Sequence, residues 1–390
     1  MDNLLGPGTT LGYCTNVHAG ANWGETRQNL EKHALRVKQA ISPDAPMGIG
    51  LWLSARSARD VIDRVGIDHL KAWLDRNGLN AFTFNGFPHG DFHQPKVKKR
   101  VYQPNWGETA RLDYTFDLIE ILSGFMEDGQ EGSISTLPLG WGKGEQTEVN
   151  LEKATANLLS VADHLRRLED ETGKLIHLNL EPEPGCYLDR HEDVTAFFKE
   201  RLLAEGDEKS VLRHLRVCHD ICHSAVMFED QGEAFEAYSS LGVRIGKVQI
   251  SSAIRIDLER MNAPKREVAL EQLGFFQEDR YLHQTVARCS DGGWTFYEDL
   301  PEALEEINPV HGGEVRVHFH VPLFLEETGA IGTTQPMVIE GMKDLLKKGD
   351  VHHYEVETYA WGVLPENLRT EELAEGIARE MTWVKENFQP

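Results

Sequence analysis

Residues 175–185 read LIHLNLEPEPG. Ile176, Leu178 and Leu180 fall on one parity, and His177, Asn179 and Glu181 on the other. Side chains of a strand alternate between faces, so this stretch predicts a strand with one apolar and one polar face. It follows Leu151–Thr172, where Leu158, Leu159, Ala162, Leu165 and Leu168 recur at helical spacing while Asp163, Arg166, Arg167 and Glu169 face outward. A helix feeding a strand, with only one face of that strand fit to pack on helices, is the unit of a helix-covered parallel sheet.

The unit recurs outward in both directions. Strands are expected at Gly12–His18, Gly48–Leu53, Asn80–Asn85, Gly132–Leu137, Leu175–Glu181, Leu215–Asp220, Ile245–Ser251, Val315–Val321 and His353–Tyr359. Helices are expected at Thr26–Ile41, Asp68–Asn77, Arg111–Phe125, Leu151–Thr172, Glu192–Leu203, Gly232–Leu241, Gln335–Lys348 and Glu371–Asn387. Alternation on this scale fits an α/β (β/α)8 TIM barrel, one domain over residues 1–390. The ninth strand is extra. Residues 252–313 are too long for an ordinary loop and contain YLHQTVARCSDGGWTFYEDL, which reads as a hairpin turning at Asp291-Gly292-Gly293. They are expected to form an insertion over the barrel mouth after strand seven, with Val315–Val321 returning from it.

Read from each strand's C-terminal end, the polar parity holds Cys14, Asn16 and His18; Thr83 and Asn85; Ser133 and Ser135; His177, Asn179 and Glu181; Arg216, Cys218 and Asp220; Lys247, Gln249 and Ser251; Arg316, His318 and His320; and His353, Glu355 and Glu357. In a barrel this parity faces the lumen, and the strand C-termini converge on the face where active sites sit. Glu181, Asp220, Gln249, His320 and Glu357 are therefore expected to meet at one mouth. Carboxylates gathered in a sheltered space repel one another unless a cation lies between them. Oxygen-rich donors with one or two imidazoles suit a divalent metal: Mn, Mg, Fe, Co or Zn.

Composition narrows the partners. The 390 residues include 40 basic and 63 acidic side chains, for a net charge of −23. Such a surface repels polyanions, which argues against nucleic acid and for a small-molecule substrate. No window reaches the roughly 20 apolar residues of a membrane span, so no membrane insertion is expected. The N-terminal MDNLLGPGTTLGY lacks the marks of a signal peptide. Five scattered cysteines (14, 186, 218, 222, 289) suit reduced thiols and a cytoplasmic setting.

LNLEPEPG, CHDICH, VQISS and YEVETYAW, on strands five to eight, resemble the xylose isomerase-like barrel superfamily. That group includes sugar isomerases, ketose 3-epimerases, inosose dehydratases and the endonuclease IV type of repair enzyme. Its pattern is a Glu, a DxxH, a residue usually His, and a Glu, matched here by Glu181, Asp220 with His223, Gln249 and Glu357. Gln249 departs from the usual His, and His318-Phe319-His320 offers a replacement. LGYCTNVHAG, PMGIGLWLSARSA, FTFNGFPHGDFH, GSISTLPLGW, HLNLEPEPGC, VCHDICHSAVMFED and GKVQISSA together resemble EboE, a metabolite traffic protein family, over essentially the whole chain. That resemblance implies work on a secondary-metabolite precursor alongside other Ebo pathway proteins; a homodimer is compatible with it.

Roles follow from that frame. Glu181, Asp220, Gln249, His320 and Glu357 are the expected metal ligands. Glu181, Glu357, Glu183 and His223 are the expected catalytic set, with Glu183 as a base beside the metal. Asn16, His18, Trp52, Asn85, His89, His223 and His318 are expected to bind substrate. His219, on the opposite parity, is read as structural, and Glu355 as the partner of a base such as Lys247 or Arg316. The basic run PKVKKR (95–100) either meets an anion or is a solvated loop. The expected activity is a metal-dependent isomerisation or epimerisation of a sugar, cyclitol or related metabolite. The alternatives are metal-dependent hydrolysis of a small phosphoester and a metabolite-binding barrel without catalysis.

Overall fold

Eight parallel strands build the centre of the molecule: β1 (Thr10–Tyr13), β2 (Met47–Leu51), β3 (Leu79–Asn85), β4 (Glu131–Thr136), β5 (Leu175–Leu180), β6 (Leu215–Asp220), β7 (Ile245–Ile250) and, last in the chain, β14 (His353–Val356). Their order is β1-β14-β7-β6-β5-β4-β3-β2, and a parallel bridge between Cys14 and Gly50 joins the two ends, so the barrel is nearly closed. The structure, a computed structural model, describes residues 4–143, 147–307, 312–366, 368–369 and 372–389.

The alternation sets what lies inside and outside. Ile176, Leu178 and Leu180 are fully buried on the helix side, while His177 and Asn179 are fully buried in the lumen. The helix Leu151–Thr172 starts where the Asn150 side chain accepts from the Lys153 amide, and ends at Gly173 in the left-handed region (φ 69°). Its buried face, Leu158, Val161, Ala162 and Leu165, follows the helical period. No described helix is long and apolar enough to cross a membrane.

Inside the lumen the side chains stack in layers. Register places Cys218, Lys247 and His353 at one level, and Asp220, Gln249 and Glu355 at the next. Lys247 Nζ lies 2.5 Å from Glu355 Oε2, both fully buried. Glycine is required at position 50, because an added Cβ would lie 1.0 Å from Glu355 Oε1.

The excursion after β7 is larger than the expected hairpin. β8 (Ser252–Asp257), β9 (Thr285–Arg288), β10 (Trp294–Tyr297), β11 (Glu314–Val321), β12 (Glu327–Thr328) and β13 (Ile331–Thr333) form a second sheet ordered β10-β9-β11-β8-β13-β12. The β9–β10 hairpin turns through Gly292 (φ 90°), as the sequence implied. β11 pairs antiparallel to both β8 and β9, and so occupies the middle of this sheet. The inserted element therefore continues to Thr333, past the expected limit at 313, because β13 also pairs with β8. Residues 308–311 of the expected insertion lie outside the described residues, as does Glu371, the expected start of the last helix.

Two strand ends also differ from expectation. β1 stops at Tyr13 and Thr15–Val17 turns into a 3-10 helix, so the every-second-residue count fails beyond Cys14. β14 stops at Val356, and Glu357 sits just past it, its amide bonded to Ile250 O at 3.1 Å.

Candidate metal and catalytic site

Asp220 ends β6 and caps the short helix Ile221–Val226. Its Oδ1 accepts from the Cys222 amide (2.8 Å), the His223 amide (3.2 Å) and Ser251 Oγ (2.5 Å). Its Oδ2 is buried and takes no hydrogen bond. One oxygen is thus fixed and the other is presented to the lumen, 3.7 Å from His223 Nε2. This explains the VCHDICH stretch: the strand ends on Asp220, and one helical turn brings His223 back over it. His219 points behind the strand, bonded to Gln231 (3.1 Å) and packed edge-on against Phe235.

Glu181 and Glu357 complete a carboxylate cluster with Asp220. One oxygen from each lies within 4.8 Å of the others, and all three residues are buried. Glu181 Oε2, like Asp220 Oδ2, has no hydrogen-bond partner. Glu357 Oε1 is held by Asn16 Nδ2 (2.6 Å) and Asn85 Nδ2 (3.2 Å). Buried acceptors without donors are costly unless something positive meets them. The donor set therefore fits a divalent cation.

The electrostatics agree. Burial, reinforced by Asp220, pushes the Glu181 carboxyl up to about 8, against a downward pull from His223. Burial, then Glu181 and Asp220, raise Glu357 well above the ordinary carboxylate range. Burial also works to raise Asp220, but His223, His320 and the Ser251 hydroxyl together bring it below its ordinary value. His223 is raised: burial opposes its charge, and Asp220, Glu183 and Glu181 outweigh burial. Three carboxylates in one dry space cannot all ionise without a compensating charge.

Glu183 lies one residue beyond Pro182. Its Oε1 accepts from Tyr102 Oη (2.8 Å) and Gln284 Nε2 (3.0 Å), and its Oε2 is buried without a partner. Beside it, His223, His318 and His320 form an imidazole group, with Nε2 to Nε2 distances of 3.2 Å from His318 to each of the other two. Glu183, Tyr102 and the three imidazoles line a hollow of about 60 Å³. Its roof includes the 3-10 helix Lys98–Tyr102 and the segment around Tyr281, tied together by Val97 and Lys98 amides donating to Arg280 O. The walls are apolar and the floor is charged, the usual division of a small-molecule site.

Not every expected residue joins this hollow. Asn16, Asn85, Glu181, Glu183, His223, His318, His320 and Glu357 line it. His18 does not: beyond the end of β1 its ring turns to Tyr13 Oη (3.0 Å) and stacks on His33. Trp52 spends its Nε1 on Pro88 O (2.9 Å) and packs edge-on against Phe92 behind the wall. His89 packs against Tyr114 outside the hollow. Gln249 lies at the register level of Asp220 and Glu355, next to the Glu355 carboxylate, and does not line the hollow. Glu355 is paired with Lys247, and Arg316 with Glu314. In the basic run, Lys98 pairs with Asp299 (2.6 Å) and Lys99 with Glu298 (2.5 Å), so neither is a free cation.

Tyr102, Gln284, Tyr281 and Tyr359 are site residues that the strand pattern did not reveal. Tyr102 ends the 3-10 helix Lys98–Tyr102, Tyr281 sits on a loop, Tyr359 in a 3-10 turn, and Gln284 just before β9 of the second sheet, where lumen parity carries no information. The one available signal was composition: YEVETYAW and YLHQT put aromatic and amide groups beside predicted site strands.

Comparison with known proteins supports the architecture. A xylose isomerase-like TIM barrel protein from Mycobacterium smegmatis, solved in complex with magnesium, is similar over 98% of this chain and 97% of its own, with a TM-score of 0.51 and 11% identity. A protein named IOLI, solved with a zinc atom, aligns over 97% and 99% at a TM-score of 0.48 and 10% identity. The 3-keto-D-glucoside 4-epimerase YcjR from E. coli aligns over 97% and 99% at 0.44 and 11%. No family model matches the chain. One curated protein, a nucleoside triphosphate pyrophosphatase from Leifsonia xyli, is 25% identical over 150 residues, 36% of this chain and 67% of that protein. What the likeness to the Mycobacterium smegmatis protein shows is the fold, a xylose isomerase-like TIM barrel.

Proposed function

We propose that this protein is a metal-dependent isomerase or epimerase acting on a sugar, cyclitol or related small metabolite. The observation that carries the reading is the buried triad Glu181, Asp220 and Glu357, with two orphaned oxygens, of which Glu181 and Glu357 line the hollow at the barrel mouth. These three would hold the ion, with His320 and Gln249 as the candidates for a further position. A bound divalent ion would polarise a carbonyl or hydroxyl of the substrate and so acidify the adjacent C–H.

The chain's own groups then have definable tasks. Glu183 Oε2 faces the hollow unpaired, while Tyr102 and Gln284 fix its other oxygen, so it is the group placed to take and return a proton. Burial raises its affinity for that proton. Asn16 holds Glu357 through Nδ2 and leaves Oδ1 buried and unpartnered, an acceptor for a substrate hydroxyl. The aromatic roof of Phe92, Tyr281 and Tyr359 excludes water from the intermediate. The resemblance to EboE supports a substrate drawn from a secondary-metabolite pathway.

The test is proton exchange at carbon. Metal-loaded protein incubated in deuterated water with a panel of ketoses, aldoses and inososes should place deuterium beside the carbonyl of its substrate, read by NMR. Glu183→Gln should abolish the incorporation while retaining the metal. Incorporation unchanged in Glu183→Gln would remove that residue from its role. No exchange with any member of the panel would count against the isomerase reading.

A further inference from the structure

Glu357 stands just past β14, where the strand ladder stops. Thr358 (φ −132°, ψ 69°) is neither strand nor helix, and a 3-10 helix, Tyr359–Val363, follows. A ligand on irregular backbone keeps its geometry only if something outside the strand anchors it. The last helix, Leu373–Phe388, supplies that anchor.

Glu380 of this helix is fully buried, and its carboxylate accepts three hydrogen bonds. Thr358 Oγ1 donates to Oε1 at 2.6 Å, the Leu323 amide to Oε1 at 3.0 Å, and Trp361 Nε1 to Oε2 at 3.0 Å. Burial pushes the carboxyl up to about 7, against the pull of these donors. One turn earlier stands Gly376. A Cβ there would lie 2.3 Å from Trp361 Cη2 and 2.5 Å from Cζ2. Glycine inside a helix weakens it, and here its bare surface is what admits the indole. Gly376 and Glu380, four residues apart, share one helix face. Together they form a receptor for Trp361: one takes the ring and the other its N–H.

The segments held this way are those that carry the mouth. Thr358 and Trp361 follow Glu357, and Leu323 follows β11, whose His320 lines the hollow. The two strand exits also touch directly, through His320 Nδ1 and Glu357 O at 2.8 Å. Tyr359, between the two anchored residues, lines the hollow with its ring centre 4.5 Å from that of His320. Glu380, Gly376 and Trp361 do not line it.

We propose that Glu380 and Gly376 are positioning residues of the mouth, setting the Glu357 carboxylate and the Tyr359 ring from behind the barrel wall. The proposal rests on the reading of Glu357 as a metal ligand. It makes the C-terminal helix a working part of the centre as well as a cover for the barrel.

Manganese affinity of chelator-stripped protein, measured beside the thermal stability of the metal-free chain, gives the test. Glu380→Gln keeps an acceptor for Thr358 and Leu323 and turns an amide N–H against the Trp361 N–H. It should weaken manganese binding about tenfold or more. Gly376→Ala, which favours the helix, should do the same by displacing the indole. Trp361→Phe should match Glu380→Gln, and the double variant should lose no more than either, because both break one bond. The indole 15N–1H resonance of Trp361 in the wild-type chain, identified by its absence in Trp361→Phe, should move when zinc is added. Variants that lose thermal stability yet keep wild-type manganese affinity would overturn the positioning role, as would an indole resonance that zinc leaves unmoved. In either case loss of manganese in Glu181→Gln would leave the metal reading standing. A wild-type chain that takes up neither ion would remove the metal site and this proposal together.

Discussion

Glu355 and Glu357 are two residues apart on the same lumen-facing parity, yet they live in different chemistry. Glu355 sits in a layer where charge meets charge: Lys247 lies 2.5 Å away and both are fully buried. Just below, His353 bonds Ser133 Oγ (2.7 Å) and His177 bonds Asn179 Oδ1 (2.7 Å). Glu357 sits in the layer above with Glu181, and Asp220, which register sets level with Glu355, joins them in one cluster; among the described residues no Lys or Arg pairs with these three carboxylates, and the His223 imidazole stands 3.7 Å from Asp220. Residue type does not separate the two layers, since both contain Glu and His. Charge compensation does. The lower layer is balanced and serves the fold; the upper one is balanced only when something is bound.

The comparison is open to attack from the lower layer first. Lys247→Met removes one partner of a buried ion pair and leaves Glu355 uncompensated. It should cost about 3–5 kcal/mol of stability in urea denaturation. A loss below about 1 kcal/mol would show that this layer is not held by charge pairing. Asn16→Ala addresses the upper layer, where Asn16 fixes a putting-forward oxygen of Glu357. It should weaken metal affinity about 10–100-fold with little change in the stability of metal-free protein. Equal effects on both would make Asn16 a structural residue.

The smallest expected effect concerns acid. Burial, then His177, push the His353 imidazole down to about 3, from an ordinary 6.5. The fold therefore favours the neutral ring. The stability gained is complete above pH 6.5 and is lost as pH falls toward 3, since the unfolded chain takes up the proton first. Urea midpoints should drop between pH 6.5 and 4, and His353→Gln should flatten that slope. Identical slopes would place the acid sensitivity in other residues.

Much of this was legible in LIHLNLEPEPG and its counterparts. Period-two alternation identified lumen residues on β5, β6, β7 and β14, and closure of the barrel brought Glu181, Asp220 and Glu357 together. The reading failed where the strand period stopped. Thr15–Val17 turns into a 3-10 helix, so Asn16 reaches Glu357 while His18 is carried off to Tyr13. Trp52 and His89 are expected from the sequence to bind substrate, and nothing in it tells that their rings pack away from the hollow. Tyr102 and Gln284 were invisible because they approach Glu183 from a 3-10 helix and from just ahead of β9, separated from it by 81 and 101 residues. Contacts across such distances follow from tertiary closure and leave no local period.

The most direct test of the central claim is calorimetric titration of chelator-stripped protein with manganese and with zinc, wild type beside Glu181→Gln. The account predicts that wild type binds a divalent ion, that its affinity rises with pH as ligand carboxyls lose their protons, and that Glu181→Gln, folded to the same thermal stability when metal-free, loses binding at the carboxylate site. A wild-type chain that binds neither ion, or a Glu181→Gln chain that binds both as the wild type does, would contradict it.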